Sequence, residues 1–217
     1  MTAVAVITAI YDGYDTLKPV LPQDGVDVDW VLVTDTVPAD PLGWRVVHDP
    51  QPPGMWPSRA AKEPKFRPWE YTPAPASIYL DASFRITSPL FAVEALALAD
   101  PIAQFEHPWR DCIYDEADAS ERLLKYVGQP VTEQADSYLA AGHPPNWGLW
   151  ASGVIARRHT PEIMKLGAAW TAETDAWTLQ CQISQPYVLR NLGLRPASLP
   201  GDHFTNPWLA YEGSARH

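Results

Sequence analysis

A carboxylate and a hydroxyl side chain stand together where a β-favouring, apolar segment of the sequence ends. Residues 77–80 predict a buried strand, and Asp81-Ala82-Ser83 follows it directly. Ligands of open α/β sheets bind at the carboxyl ends of strands, so these residues could hold one. Asp and Ser are equally typical of a turn, because their side chains bind nearby backbone amides. The local pattern leaves both interpretations open.

A loop rich in aromatic and acidic residues follows another predicted strand, at residues 4–10. Tyr11-Asp12-Gly13-Tyr14-Asp15 has glycine at its centre and is typical of a tight turn. Its rings and carboxylates also suit a nucleobase and a ribose. The groups that come later in the chain slightly favour the second interpretation.

The most basic stretch of the chain, residues 59–71, comes shortly before the Asp81 segment. It holds Arg59, Lys62, Lys65 and Arg67 and predicts a local anion site. A run of charges is more often a solvated helix face. Two prolines in the stretch count against such a helix, and clustered cations gain nothing from one another.

Acidic, basic and aromatic residues are dense between positions 107 and 116. His107, Arg110, Asp111 and Glu116 could supply acid and base groups together with a bidentate clamp for an anion. Asp115 and Glu116 also suit the start of the next helix, where the helix dipole favours carboxylates. Both interpretations can hold at once.

The pattern of elements predicts an α/β fold, with a mixed, mainly parallel sheet flanked by helices in a single domain. Residues 77–106 read strand, helix, strand, which favours parallel pairing through a right-handed crossover. Two glycines interrupt the strand at 147–157, and Gly153 could mark a close approach to a ligand or only tight packing. Further strands are expected at 29–34 and 44–48, and helices at 89–98, 117–127, 131–141, 159–172 and 176–192, the last kinked or divided at Pro186.

Length and composition fit one ordered domain. The chain has 217 residues, of which 46% are hydrophobic and ten are Trp, while 23 Pro indicate many irregular connections. The segment from about residue 199 has no strong periodicity, and we expect it to fold back over the edge of the sheet.

The charge balance excludes a broad surface for nucleic acid, because the formal net charge is −10, from 26 acidic and 16 basic residues. Cys112 and Cys181 lie far apart without metal-ligand spacing, which indicates reduced thiols and a cytoplasmic location. The apolar opening lacks a basic leader and predicts a strand rather than a signal peptide. No stretch reaches the roughly 20 apolar residues that span a bilayer, so no membrane partner is expected.

Taken in order, these stretches resemble the nucleotide-sugar glycosyltransferases of the GT-A fold. The chain looks most like the glycosyltransferase-like domain of plant mucilage- and turgor-related proteins, which also occurs in bacteria and phages. The matching stretches span about 170 residues in the family's order. They are residues 11–15, Lys62 and Lys65, residues 78–83, residues 107–116 and residues 181–184.

The resemblance implies that the two halves of the chain bind different substrates. Residues 1–110 would form the nucleotide-binding half, with Tyr11 and Asp12 at the base of a nucleotide donor and the basic segment at its phosphates. Asp81-Ala82-Ser83 would occupy the place of the family's Asp-x-Asp motif. Residues 111–217 would form the acceptor-side half. The sugar and acceptor would meet residues 107–116, Trp147, Gly153 and Gln182.

The sequence departs from the family's pattern at two positions. Ser83 stands where relatives carry a second carboxylate, which weakens a site for Mn²⁺ or Mg²⁺. Such an ion would rely on Asp81, His203 and the donor phosphates, or be absent. Cys181 replaces a carboxylate that relatives tend to carry on the late helix.

The resemblance therefore predicts transfer of a hexosyl or pentosyl group from a nucleoside diphosphate sugar. The acceptor would be a hydroxyl group of a glycan, a small molecule or a modified base. Lys62, Lys65 and Arg59 would offset the charge of the diphosphate leaving group. Asp111 or Glu116 would act as the base or as a carboxylate on the nucleophile side.

Two other functions remain open at this point. The first is transfer to a modified base in DNA, against which the acidic balance of the chain counts. The second is a catalytically inactive module that only binds a nucleotide sugar. Ser83 and Cys181 keep the second alternative open, because each removes a carboxylate that catalysis or metal binding would use.

Overall fold

The computed structural model describes residues 3–213, which form one main sheet and a small second sheet. The strands are β1 (Ala3–Ile10), β2 (Asp27–Thr34), β3 (Arg45–His48), β4 (Ala76–Leu80), β5 (Phe84–Ile86), β6 (Ile102–Glu106), β7 (Trp150–Arg158), β8 (Ala197–Ser198) and β9 (Leu209–Tyr211). The helices are α1 (Pro57–Ala60), α2 (Glu63–Phe66), α3 (Phe91–Leu98), α4 (Ile113–Ser120), α5 (Val131–Ala140), α6 (Pro161–Ala176) and α7 (Cys181–Asn191). Short 3₁₀ helices lie at Pro68–Glu70 and Leu124–Tyr126.

The main sheet has seven strands in the order β3-β2-β1-β4-β7-β6-β8. Strands β1 to β4 pair in parallel, whereas β7 runs antiparallel to both of its neighbours, β4 and β6. The predicted mixed, mainly parallel sheet in a single domain is therefore confirmed. The two predicted halves of the chain share this sheet, because β4 of the first half pairs with β7 of the second.

Alternate residues of the central strands pack on opposite faces of the sheet, as the two-residue repeat of a strand requires. On β1, Val4 and Val6 pack in the same cluster as Phe91 of α3. Ala5 and Ile7 point to the other face and pack with Ala60 of α1. Apolar burial on both faces explains why this segment reads as a continuous apolar run.

Helix α6 holds α2 and the first residue of α7 in place through Trp170. Its Trp170 is fully buried, and the indole nitrogen donates a hydrogen bond of 2.9 Å to the carbonyl of Cys181, where α7 begins. The same indole ring lies 4.4 Å from the ring of Phe66 in α2, measured between centroids. Thr160 caps α6, because its hydroxyl accepts a hydrogen bond from the backbone nitrogen of Ile163.

Two predictions about individual elements were wrong, and one of the two alternatives for Pro186 is excluded. Strands β4 and β6 are parallel to one another, but β7 lies between them, so they do not pair. Helix α4 ends at Ser120, and residues 121–127 form turns and the short 3₁₀ helix Leu124–Tyr126 rather than more α-helix. Helix α7 continues through Pro186, so this proline does not divide it.

The end of the described chain folds back onto the turn after β4. Strand β9 pairs with β5, and the backbone nitrogen of Glu212 donates a 2.9 Å hydrogen bond to the carbonyl of Ser83. The ring of Trp208 packs against Phe91 and Phe105 on the α3 face of the sheet. The tail thus folds back, as predicted, but it packs on β5 and α3. The edge of the main sheet is formed by β8.

Among residues 3–213, none of the helices is long and apolar enough to cross a membrane. Cys112 and Cys181 are buried free thiols, which agrees with their unlike sequence contexts. The cytoplasmic location stays a prediction.

Candidate functional site

A cavity of about 600 Å³ opens at the edge of the sheet where β1 and β4 end. Parallel strands deliver the residues that follow them, Tyr11 and Asp81, to the same edge. The antiparallel β7 starts at this edge and adds Gly153. Ten of the residues that the sequence analysis selected line this cavity. They are Tyr11, Asp12, Lys62, Lys65, Asp81, Ala82, Ser83, Gly153, Gln182 and His203.

An ion pair between a buried lysine and a partly exposed carboxylate lies at the floor of the cavity. The Lys65 ammonium is 3.2 Å from Asp81 Oδ1 and lies over the ring of Tyr79, 4.8 Å from its centroid. Lys65 is only 6% exposed, and burial disfavours its charge. The attraction of Asp81 outweighs burial, so the pKa of Lys65 is raised. Arg157, also fully buried, donates a hydrogen bond to the carbonyl of Lys65 and so anchors α2.

Gly153 allows the Asp81 carboxylate to lie against the backbone of β7. The backbone nitrogen of Asp81 donates a 2.8 Å hydrogen bond to the carbonyl of Gly153. A methyl group on Gly153 would lie 2.9 Å from Asp81 Oδ2 and 3.0 Å from the ring of Phe84. The glycine is therefore required for tight packing against Asp81 and Phe84, while a close approach of Gly153 to a ligand stays a prediction.

A second lysine and a thiol form the wall at the start of α7. The Lys62 ammonium lies 3.7 Å from Cys181 Sγ, and Ser152 Oγ lies at the same distance from that sulfur. Burial lowers the pKa of Lys62. Burial alone would raise the pKa of the Cys181 thiol. The positive charges of the neighbouring lysines outweigh this effect, so the pKa of the thiol is lowered. Ser152 also donates a 3.5 Å hydrogen bond to Gln182 Oε1.

The loop after β1 is held in place by two carboxylates. The Tyr11 hydroxyl donates a 2.7 Å hydrogen bond to Asp49 Oδ2, and burial together with this bond raises the pKa of Tyr11. The backbone nitrogen of Asp12 donates to Asp35, with 3.0 Å to Oδ2. Tyr11 is buried, whereas the ring of Tyr14 is 44% exposed at the cavity wall. The loop therefore presents one fixed ring and one exposed ring.

Several residues of the cavity were missed in the sequence. Lys125 and Tyr126 lie in the turn after α4, and the Tyr126 hydroxyl donates a 2.9 Å hydrogen bond to Gln180 Oε1. They were missed because the sequence predicts one continuous helix over 117–127. No local signal in the sequence marks the end of α4 at Ser120. Phe204 and Tyr211 come from the returning tail, whose path depends on pairing with β5.

Arg59 does not line the cavity. Its side chain is 8% exposed, and the guanidinium forms ion pairs of 2.5 Å with Asp175 and 2.6 Å with Glu63. Burial opposes the charge, but both hydrogen-bonded carboxylates raise the pKa of Arg59. The guanidinium therefore links α1 to α6, and we leave Arg59 out of the site.

The cluster at 107–116 also lies outside the lining of the cavity. Glu116 is buried and accepts a 2.6 Å hydrogen bond from Arg110 Nε and a 2.8 Å bond from Gln180 Nε2. His107 Nε2 is 3.6 Å from the same carboxylate, and Asp111 is exposed. Since Gln180 lines the cavity, Glu116 holds a wall residue rather than facing a ligand itself.

Trp147 does not line the cavity, and its ring packs in an aromatic cluster with Trp150, the first residue of β7. Its ring centroid is 5.6 Å from that of Trp150 and 5.6 Å from that of His143. The guanidinium of Arg195 lies 5.2 Å from the centroid of the Trp147 ring. These contacts place Trp147 in a packed cluster.

The residues present are a poor fit for a divalent metal. Within residues 3–213, no group of three or more His, Cys, Asp or Glu side chains could hold a metal ion. The Asp81 carboxylate already has the Lys65 ammonium at 3.2 Å, and Ser83 adds no carboxylate. His203 lines the cavity, and burial lowers its pKa. We therefore derive no step through a metal.

The fold of the chain is similar to that of a known glycosyltransferase. The apo structure of WbbM, a bifunctional glycosyltransferase, is similar to this chain with a TM-score of 0.54 and 12% sequence identity. The similarity covers 92% of this chain and 39% of that chain, so it shows a shared fold alone. No curated protein matches the chain.

The sequence itself gives the family. The family TOD1/MUCI70, glycosyltransferase-like domain, matches residues 39–199, about three quarters of the chain. The chain therefore belongs to this family, which confirms the resemblance found in its sequence. Together, the family and the fold support a general role in glycosyl transfer.

Proposed function

We propose that the protein transfers a sugar from a nucleoside diphosphate sugar to a hydroxyl group of an acceptor. The observation that carries this proposal is the buried Lys65 ammonium, paired with Asp81 in a cavity at the strand ends of a glycosyltransferase-like domain. A cation fixed in a cavity is a preorganised partner for the negative charge of a diphosphate.

The donor would lie along the floor of the cavity. The nucleobase would contact Tyr11 and Tyr14, and the ribose would lie near Asp12. The diphosphate would meet Lys62 and Lys65, which both line the cavity, Lys65 as a buried and Lys62 as a partly buried side chain. Partial burial of these cations supports this arrangement, because a desolvated charge binds an anion more strongly than an exposed one does.

The reaction makes one bond and breaks one bond at the anomeric carbon of the donor sugar. The acceptor oxygen forms the new bond to this carbon, and the bond between the carbon and the diphosphate oxygen breaks. The electron pair of the broken bond leaves with the diphosphate, where Lys62 and Lys65 offset the added charge. The acceptor proton must pass to a base.

We assign His203 as that base, in place of Asp111 or Glu116. His203 lines the cavity, whereas neither carboxylate does. Burial lowers the pKa of His203 below 6.5, so the imidazole is neutral at pH 7 and able to accept a proton.

The donor proposal is tested by thermal stabilisation with a panel of nucleotide sugars, each with Mn²⁺ and with a chelator. We expect at least one nucleoside diphosphate sugar to raise the melting temperature in the presence of the chelator. Lys65→Met should weaken that nucleotide about tenfold or more, because the anion loses its buried partner. Lys165→Met, which changes an exposed lysine on α6, is the matched control and should bind as the wild type does.

Turnover separates an enzyme from a binding module. Asp81→Ala should abolish donor hydrolysis and transfer, and His203→Gln should slow transfer about 100-fold without weakening the nucleotide. A wild-type protein that no nucleotide sugar stabilises, or unchanged turnover in Asp81→Ala, would contradict the proposal.

A catalytically inactive nucleotide-sugar-binding module is the second candidate. The lack of a carboxylate at Ser83 and at Cys181 favours it. Stabilisation of the wild type by a nucleotide sugar, with no hydrolysis or transfer to any acceptor tested, would support this candidate over the enzyme.

A further inference from the structure

We propose that Trp109, Phe204 and Tyr211 form a subsite that binds a pyranose ring of a carbohydrate acceptor. We call these three residues the aromatic shelf. The proposal rests on the proposed function, because it names the acceptor class of the same site. Family membership does not assign the shelf, since Phe204 and Tyr211 lie outside the matched residues 39–199.

The shelf begins in the cavity and continues out of it. Phe204 and Tyr211 line the cavity, with ring centroids 5.0 Å apart. The ring of Trp109 lies 5.4 Å from that of Phe204 and extends the surface away from Asp81. The three side chains are 67%, 40% and 45% exposed for Trp109, Phe204 and Tyr211 respectively. Exposed aromatic residues that are continuous with a polar cavity are typical of ligand sites.

The loop that carries Phe204 is fixed by its own hydrogen bonds. Asp202 Oδ1 accepts bonds of 2.7 Å from the backbone nitrogen of Phe204 and 2.9 Å from that of Thr205. Asn206 Oδ1 accepts hydrogen bonds from the backbone nitrogens of Trp208, at 3.0 Å, and Leu209, at 2.8 Å. Because the loop is ordered before a ligand arrives, binding to Phe204 costs little conformational entropy.

The loop that carries Trp109 is fixed by the cluster at 107–116. His107 Nδ1 accepts hydrogen bonds from the backbone nitrogens of Trp109, at 3.4 Å, and Arg110, at 3.2 Å. Arg110 is in turn bound to the buried Glu116 at 2.6 Å. Burial and the nearby Arg110 charge lower the pKa of His107 to about 4, so this nitrogen stays an acceptor at neutral pH. These residues therefore position the outer ring of the shelf.

The chemistry of the shelf fits a sugar better than a lipid or an apolar peptide. One face of a pyranose ring presents C–H groups, which pack on aromatic rings, while its hydroxyl groups point outward to polar partners. The shelf has such a partner beside it, since the ring centroid of His203 lies 4.0 Å from that of Phe204. His203 also lies at the junction of the shelf and the cavity, with its ring centroid 6.1 Å from that of Phe84. A hydroxyl group of the bound ring would thus be near the proposed base.

The test uses the full chain and two separate readouts. The probes are methyl pyranosides and short oligosaccharides, followed by ligand-observed saturation-transfer NMR, and nucleotide binding is followed by thermal shift. We expect pyranose ring protons to receive saturation from the wild type. Trp109→Ala and Phe204→Ala should each weaken carbohydrate binding about tenfold, and Trp109→Ala, which changes a residue outside the cavity lining, should leave nucleotide stabilisation unchanged.

Two variants serve as controls. Trp109→Phe keeps an aromatic ring at the same place and should retain binding within about threefold. Trp56→Ala removes another exposed tryptophan, which does not line the cavity, and should bind as the wild type does.

The outcomes separate this inference from the proposed function. Carbohydrate binding that survives in the Trp109→Ala/Phe204→Ala double variant would overturn the shelf, as would binding by an apolar peptide but by no sugar. A wild type that binds carbohydrate through the shelf but no nucleotide would contradict the donor proposal and leave the shelf standing. If the variants reduced donor hydrolysis and transfer equally, the rings would act on the donor, and the acceptor assignment would be wrong.

Discussion

Gly153 and Asp81 show how closely the backbone of β7 approaches the charged floor of the cavity. Because Asp81 bonds to the Gly153 carbonyl through its own backbone nitrogen, neither residue can move without the other. The Lys65 ammonium depends on this arrangement for its partner at 3.2 Å. Because Gly153 has no side chain, the Asp81 carboxylate has room to lie against the backbone of β7.

We predict that Gly153→Ala destabilises the protein and weakens nucleotide binding. The added methyl group must displace Asp81 or the ring of Phe84, which costs about 1–3 kcal/mol of the free energy of unfolding. Chemical denaturation measures this cost, and thermal shift with a nucleotide sugar measures the effect on the site.

A double-mutant cycle with Asp81→Ala controls for this prediction. When the carboxylate is absent, the new methyl group has more room, so the cost of Gly153→Ala should fall. Strictly additive costs would show that the contact with Asp81 is not the cause.

Helices α2 and α6 approach each other closely at Gly167, which is buried against α2 and the turn that follows it. A methyl group at this position would collide with the backbone carbonyl of Phe66 and lie 2.6 Å from the ring of Trp69. Phe66 is the neighbour of Lys65, so the contact with α6 helps to position the helix that carries Lys65.

We predict that Gly167→Ala lowers the free energy of unfolding by about 1–3 kcal/mol, although alanine is the better helix former. Urea denaturation measures the change. Ala168→Gly, one position along on the exposed face of α6, should cost only about 1 kcal/mol, and nucleotide binding should stay as in the wild type. A stabilising effect of Gly167→Ala would show that α2 can move away freely.

The strands and most helices could be predicted from the sequence, because β1 and β4 are apolar on both faces and proline or glycine marks their ends. The pairing of β7 between β4 and β6 could not, since register and neighbours depend on the packed sheet. The same limit applies to the site. Asp81 follows from its position after a predicted strand and Lys65 from the basic stretch 59–71, whereas Lys125 and Phe204 reach the cavity only through turns fixed by tertiary contacts.

The stability of the molecule should depend on pH through three histidines, of which His143 is buried and His107 and His159 are partly buried. Burial lowers the pKa values of His107, His143 and His159 from 6.5 to about 4. Above pH 6.5 these imidazoles are neutral in both states. Between pH 6.5 and about 4 the unfolded chain binds protons that the folded chain does not, so stability falls as the pH falls.

We predict a slope of up to about 1.4 kcal/mol per pH unit for each histidine in this window, on top of any contribution from carboxylates. Urea denaturation between pH 7 and pH 4 measures it. His159→Gln should reduce the slope by roughly one proton's share, whereas His48→Gln changes an exposed histidine and should leave the slope as it is. Equal slopes in the wild type and His159→Gln would contradict the prediction.

The pairing of β9 with β5 has a consequence for the order of events during synthesis. Asp81 leaves the ribosome about 120 residues before His203 and Tyr211, which complete the wall of its cavity. At typical elongation rates this delay is on the order of 10 s. During that interval the nascent chain can build the β1–β4 sheet, but the turn at Ser83 lacks the strand that closes over it. Ribosome-bound intermediates should therefore acquire a folded core well before they acquire a closed nucleotide pocket.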